Sequence, residues 1–137
     1  MSVRLERVFL ANVLLFINTI DTIEQFPFIS KNCQVAMLTL KTNPAAFSKS
    51  PRDILRLFPN INTMTIENIT CLKDVDTLPD SVTSIVVRTV DYRDITPPML
   101  KFADRIVTIR GLKPIDFDLT DFSIFPYLEN LTVYGLP

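Results

Sequence analysis

Few residues in this chain could do chemistry, and their types narrow what it could be. There is no histidine. That removes the usual general base at neutral pH, the commonest imidazole metal ligand and every histidine-dependent triad. The two cysteines, Cys33 and Cys71, are too few for a disulfide framework or a zinc site. Each reads as a small buried hydrophobe with a free thiol, as in the reducing cytoplasm or nucleus. The acidic run Asp116-x-Asp118-x-x-Asp121 is the one candidate for calcium. It lacks the glycine and closing glutamate of an EF-hand loop, so its carboxylates are expected to cap the turn near Leu119 and face water. Two glycines, Gly111 and Gly135, cannot make a phosphate-cradling loop. Asn68-Ile69-Thr70 and Asn130-Leu131-Thr132 match the glycosylation pattern, but both overlap expected strands and no secretory signal precedes them. The expectation is a protein without catalytic residues, metal or cofactor.

Charge narrows the partners. Residues 1–57 carry seven Lys/Arg against four Asp/Glu, and residues 58–137 carry seven against eleven. Neither half offers the dense basic face that phosphate backbones require, so no nucleic-acid partner is expected. No apolar run reaches the ~18 residues of a membrane span. Protein partners remain.

The elements that position side chains for such partners recur along the sequence. Ile61, Met64, Ile66 and Ile69 share a spacing with Val82, Ile85, Val87 and Val90. It returns at Val107, Ile109 and Leu112, with Asp104 in the first slot, and at Leu128, Leu131, Val133 and Leu136. The second slots lie 21, 22 and 24 residues apart. Ahead of each copy stand Phe58-Pro59, Leu78-Pro79, Phe102-Ala103 and Phe125-Pro126. Three residues before these come Leu55, Val75, Met99 and Phe122. A spacing of three suits one helical or 3₁₀ turn, which proline then stops. Each unit therefore reads as a short turn, a corner and a strand.

This pattern resembles the leucine-rich-repeat family over residues 52–137, whose period is about 20–29 residues. The family's corner asparagine should fall at 69, 90, 112 and 136, where Ile, Val, Leu and Leu stand instead. Packing must then replace hydrogen bonding at the corner. Alternation along the strands assigns Met64, Ile66, Ile85, Val87, Val107, Ile109, Leu131 and Val133 to the core. It turns Thr63, Thr65, Glu67, Ser84, Val86, Arg88, Ile106, Thr108, Arg110, Asn130, Thr132 and Tyr134 outward. Parallel stacking lines up Glu67, Arg88, Arg110 and Tyr134 as one column, a candidate partner surface because Arg and Tyr are enriched at interfaces. The bland alternative is a solvated column holding a weak Glu67–Arg88 pair.

Before the repeats the chain reads as short helices. Leu5, Phe9, Leu10, Val13, Leu14, Phe16, Ile17 and Ile20 spread over an arc of about 180°, wider than the ~100° stripe a surface helix needs. Asp21 with Glu24 suggests a capping box, Pro27 must kink or restart the helix, and Ser30 can cap a third helix bearing Cys33, Met37 and Leu40. Asn43-Pro44 ends it. Ser50-Pro51 opens another helix, with proline at its first position. Leu5, Val13 to Ile17, Asp21 and the run Ile29-Ser30-Lys31-Asn32-Cys33 resemble the F-box family, with Glu6 where that family usually has proline and Cys33 replacing an aromatic. The resemblance implies docking to the adaptor subunit of a cullin-type ubiquitin ligase, with the repeats choosing the substrate. The other reading is a helical cap over the open first end of a solenoid.

The expected architecture is an α/β leucine-rich-repeat solenoid with short parallel strands. Residues 1–43 form a helical F-box-like or capping segment and residues 44–137 about four repeats. The chain stops at Pro137 directly after a repeat core, as an array cut short would, so its last strand edge is expected to self-associate. Leu5, Phe9, Val13 and Phe16 are expected to be covered. Val8, Ala11 and Leu15 are expected to form an open strip for a partner, rimmed by Arg4 and Arg7.

Overall fold

The structure, a computed structural model, describes residues 2–45, 47 and 50–134, with the side chains of residues 2–5, 98 and 99 left out. Leu136, Pro137 and the side chains of Arg4, Leu5 and Met99 therefore lie outside what is described. The chain runs through α1 (Ser2–Leu15), α2 (Ile20–Gln25), α3 (Lys31–Thr39), α4 (Pro51–Leu57), β1 (Thr63–Asn68), β2 (Ser84–Thr89), β3 (Ile106–Leu112), α5 (Pro114–Leu119) and β4 (Asn130–Val133). The four strands form one all-parallel sheet whose spatial order, β1-β2-β3-β4, is the order of the chain.

Local chemistry accounts for most boundaries. Ser30 Oγ accepts the Cys33 N–H at the start of α3, and Ser50 Oγ accepts the Asp53 N–H ahead of Pro51. These bonds satisfy N–H groups that a first helical turn leaves without partners. Pro27 ends α2 and opens the 3₁₀ turn Phe26–Phe28. Asp21 lies inside the first turn of α2, while Thr19 takes the cap position without a side-chain cap bond. The capping box expected at Asp21 and Glu24 does not form there.

The corners are packed, with Ile69, Val90 and Leu112 all buried. Their hydrogen bonding has moved to neighbouring residues. Asn68 Oδ1 accepts the Thr70 N–H, Asp91 Oδ1 the Arg93 N–H and Asp121 Oδ1 the Ser123 N–H, each at 3.0 Å. Such bonds to the backbone two residues on are how Asn and Asp hold a turn. Turns do not recur uniformly. The stretch Val75–Leu78, expected to coil, carries no helix, and the 3₁₀ turn of that unit lies earlier, at Ile69–Leu72. Asp116 is buried and accepts the Tyr92 N–H at 3.1 Å, joining successive turns. It does not face water as expected.

One hydrophobic cluster runs from Leu14 to Phe125 and unites the helices with the sheet. Met64, Ile66, Ile85, Val87 and Ile109 line it as alternation requires. The third strand departs from the expected register. Ile85 pairs with Ile106 but Val86 with Thr108, so Val107 is an extra residue at a bulge. Ile106, expected to point outward, is fully buried, and Val107, expected in the core, is half-buried. A bulge sets two residues against one and re-aims the side chains beyond it. At the last strand Leu131 is exposed and Val133 only partly buried.

The outer side of β1 is closed by the chain leaving α3. Asn62 and Thr63 N–H groups donate to Lys41 O, and Thr42 forms a parallel bridge with Thr63. Asn43 is buried, and its carboxamide continues the edge. Oδ1 accepts the Thr65 N–H, while Nδ2 donates to Thr65 O and to Phe47 O, all at 2.8 Å. Among the described residues nothing pairs with the outer side of β4.

Two stability outcomes follow. Ile106→Ala should cost about 3 kcal/mol in urea unfolding, as large-to-small core changes do, and Val107→Ala about 1 kcal/mol; equal losses would contradict the bulge. Asn43→Ala leaves the buried Thr65 N–H and C=O without their Asn43 partner and should cost about 3 kcal/mol, well above the ~1 kcal/mol of an ordinary cap deletion. Chemical denaturation of Asn43→Ala beside Ser30→Ala makes that comparison.

Candidate functional site

Two surfaces contain the candidate residues. The first is the sheet face turned away from the core. Residue 67 stands opposite 88 because Ile66 pairs with Val87, and 88 opposite 110 because Val87 pairs with Ile109. Glu67, Arg88 and Arg110 thus come together as the sequence predicts. Arg88 Nη1 donates to Glu67 Oε2 at 2.9 Å and to Ala45 O at 3.1 Å. Both side chains of this pair are about half open to water, so the contact orients more than it stabilises. Arg110 is exposed and makes no hydrogen bond or ion pair among the described residues.

Tyr134 does not join that row. Ile109 pairs with Leu131 but Leu112 with Val133, so two residues of β3 face one of β4. Thr132 takes the place beside Arg110, and the Tyr134 N–H donates to Leu112 O at 2.8 Å, past the end of β4. Tyr134 is exposed there. The expected alignment set Leu131 against Val107 at a spacing of 24, whereas the observed pairing with Ile109 has a spacing of 22.

Gly111 sets the approach of β2 and β3 at the row. A Cβ on it would lie 2.2 Å from Arg88 O, so only glycine fits unless the strands move apart. The next row in, Thr65, Val86, Thr108 and Asn130, follows the same pairing. Thr65 and Val86 are buried despite facing away from the core.

The second surface is α1, and here the expectation is largely reversed. Leu14 is fully buried, and Leu10, Ala11, Leu15 and Ile17 pack against the core. Arg7 Nε donates to Asn32 Oδ1 of α3 at 3.3 Å. Ala11 and Leu15 therefore belong to the covered side, and of the expected strip only Val8 is exposed, at 54%. Phe9, Val13 and Phe16, expected to be covered, are exposed at 64%, 38% and 87%. These three fall within an arc of about 60°, opposite Leu14. The neighbouring turn adds Phe28 and Ile29, also exposed. Sequence reasoning missed this stripe because α1 is apolar on both sides. Only the position of α3 decides which side is buried.

No metal-binding group of three or more His, Cys, Asp or Glu occurs among the described residues, and none of their helices is long and apolar enough to cross a membrane. Cys33 is buried and Cys71 half-buried, both as free thiols. Cys71 lines an open cleft of about 620 Å³ between α4 and the Thr70–Leu78 stretch. Comparison with family models, curated proteins and solved structures gives no match.

Beyond the end of β2, Asp91 holds an exposed ion pair with Arg93, Oδ2 to Nη2 at 2.6 Å. The Arg93 side chain, and then its backbone N–H, lower the Asp91 pKa from 3.8 to about 2. A folded pKa below the unfolded value means that the pair's contribution is complete above pH 3.8 and lost as pH falls through about 2. A carboxyl-carbon NMR titration should give that midpoint, and Arg93→Gln should return it toward 3.8.

Proposed function

We propose that this chain is a non-enzymatic protein–protein interaction module. In this reading it is a leucine-rich-repeat solenoid whose F-box-like helices dock on the adaptor subunit of a cullin-type ubiquitin ligase. Its sheet face receives the substrate, and the work is done in the cytoplasm or nucleus. The observation that carries the reading is the apolar stripe left open on α1. Phe9, Val13 and Phe16 stand at i, i+4 and i+7, the spacing of a helix laid in a partner's groove. A contiguous exposed apolar strip of this kind marks an interaction site. An all-parallel sheet in chain order, with aliphatic residues recurring every 21 to 24 positions, supports the repeat assignment. Extended sheet faces of repeat proteins are their usual binding surfaces.

A second reading, a scaffold in which the N-terminal helices only cap the repeats, is favoured by the shared core. Leu14 and Met37 belong to the same cluster as Ile85, and Asn43 closes the outer side of β1. Under that reading the α1 stripe has no partner.

Substitution separates the two. Phe9→Glu with Phe16→Glu should leave helical circular dichroism and the melting temperature near wild type, and should abolish pull-down by purified adaptor subunit. Leu14→Glu should unfold the helical segment, since it places a charge in the core. A wild-type chain that never captures the adaptor removes the F-box assignment. A double variant that melts early gives Phe9 and Phe16 a covering role and leaves the scaffold.

A further inference from the structure

Arg88 and Arg110 occupy adjacent register positions on neighbouring strands, which run about 4.8 Å apart. Like charges directly opposite one another on a sheet face are unfavourable. Gly111 nevertheless holds these strands in close approach at this point. The two guanidiniums are prepared differently. Glu67 and Ala45 O fix one nitrogen of Arg88, and its other donors make no hydrogen bond among the described residues. Arg110 makes no hydrogen bond or ion pair among the described residues. A guanidinium presents five N–H donors in a planar fork that matches a carboxylate. Thr108, Asn130 and Thr132 surround Arg110 with neutral polar groups, and no carboxylate occupies a neighbouring register position on β4.

We propose that Arg88 and Arg110 together seat the carboxylate of one acidic residue in an extended segment of a partner protein, laid across the strands. The seat rests on the reading of this sheet face as a binding surface and gives that surface a ligand chemistry. A bound carboxylate lies between two cations and removes their repulsion. A long polyanion is disfavoured, because Glu67 flanks the seat and residues 58–137 carry eleven acidic against seven basic side chains. The partner segment therefore places one acid over the two arginines and a neutral or basic residue over Glu67.

Tetraglutamate peptide, titrated into ¹⁵N-labelled full-length protein, tests this. The Arg88 and Arg110 side-chain Nε–H signals and the Thr108 and Thr132 amides should shift together and saturate, with tetraglutamine giving no such shift. Arg110→Gln should weaken the peptide about tenfold, the loss of a charge-assisted bond. Glu67→Gln should strengthen it about threefold by removing the competing carboxylate. Asp118→Asn and Arg52→Gln, matched in charge but distant, should change it by less than about twofold. All four substituted positions are solvent-exposed, and unchanged circular dichroism verifies folding. Equal binding of tetraglutamine at the same amides would keep the sheet as a binding surface and overturn the acidic seat. The absence of any saturating shift on the sheet would overturn both the seat and the surface. Effects of the distant variants as large as that of Arg110→Gln would reduce the binding to net charge and overturn the seat.

Discussion

The fold depends on one carboxamide. Asn43 presents its side-chain acceptor and donor to the Thr65 N–H and C=O, as a further strand would. A parallel sheet that begins at β1 otherwise leaves a row of unpaired backbone groups along its first edge. Lys41 and Thr42 cover the start of that edge and Asn43 its middle. The same Nδ2 also donates to Phe47 O, which fixes a segment whose ring meets Phe58 edge-to-face at 5.8 Å. One side chain thus joins the helical segment, the sheet and the core beneath them. With all its polar atoms satisfied, its burial costs little.

Farther along, the joints between successive layers are built from whatever polar group is at hand. Arg105 Nη1 reaches back to Pro79 O and Val82 O, Lys101 Nζ to Val75 O, and Asp116 receives the Tyr92 N–H. Arg105 also stacks over Phe102, 5.5 Å from the ring centre. The residue types differ at each joint: Arg105, Lys101 and Asp116. The corner slots Ile69, Val90 and Leu112 are left to packing, all three being buried.

The strands were legible because aliphatic residues at alternate positions have few other interpretations. Met64, Ile66, Ile85 and Val87 needed only the period of a strand. The third strand was not legible at that level. Ile106 and Val107 are both β-branched and apolar, so composition could not say which of them lies in the bulge. Tyr134 left the row for a different reason: the pattern aligned Leu131 with Val107, 24 residues back, while the sheet pairs Leu131 with Ile109, 22 residues back. On α1 the difficulty was symmetry. Phe9 and Leu14 are equally hydrophobic, and the choice between their faces is made by α3. Asn43 was legible only as the end of a helix, since its three acceptor and donor partners lie 4 and 22 residues away.

Those sequence separations say something about how the chain can be assembled. The ties between layers span 22 residues at Asn43 and Thr65, 21 at Arg88 and Glu67, 23 at Arg105 and Val82, and 24 at Tyr92 and Asp116. Each layer closes a loop of nearly constant length, and closure entropy rises only with the logarithm of that length. No step in the sequence of closures requires the two ends of the chain to meet. The search for the native state is therefore divided into short searches of similar size, each able to use the previous layer as its template. A ribosome releasing this chain from its N-terminus would deliver the helical segment and Asn43 first, so that the edge on which β1 is laid down exists before β1 itself emerges.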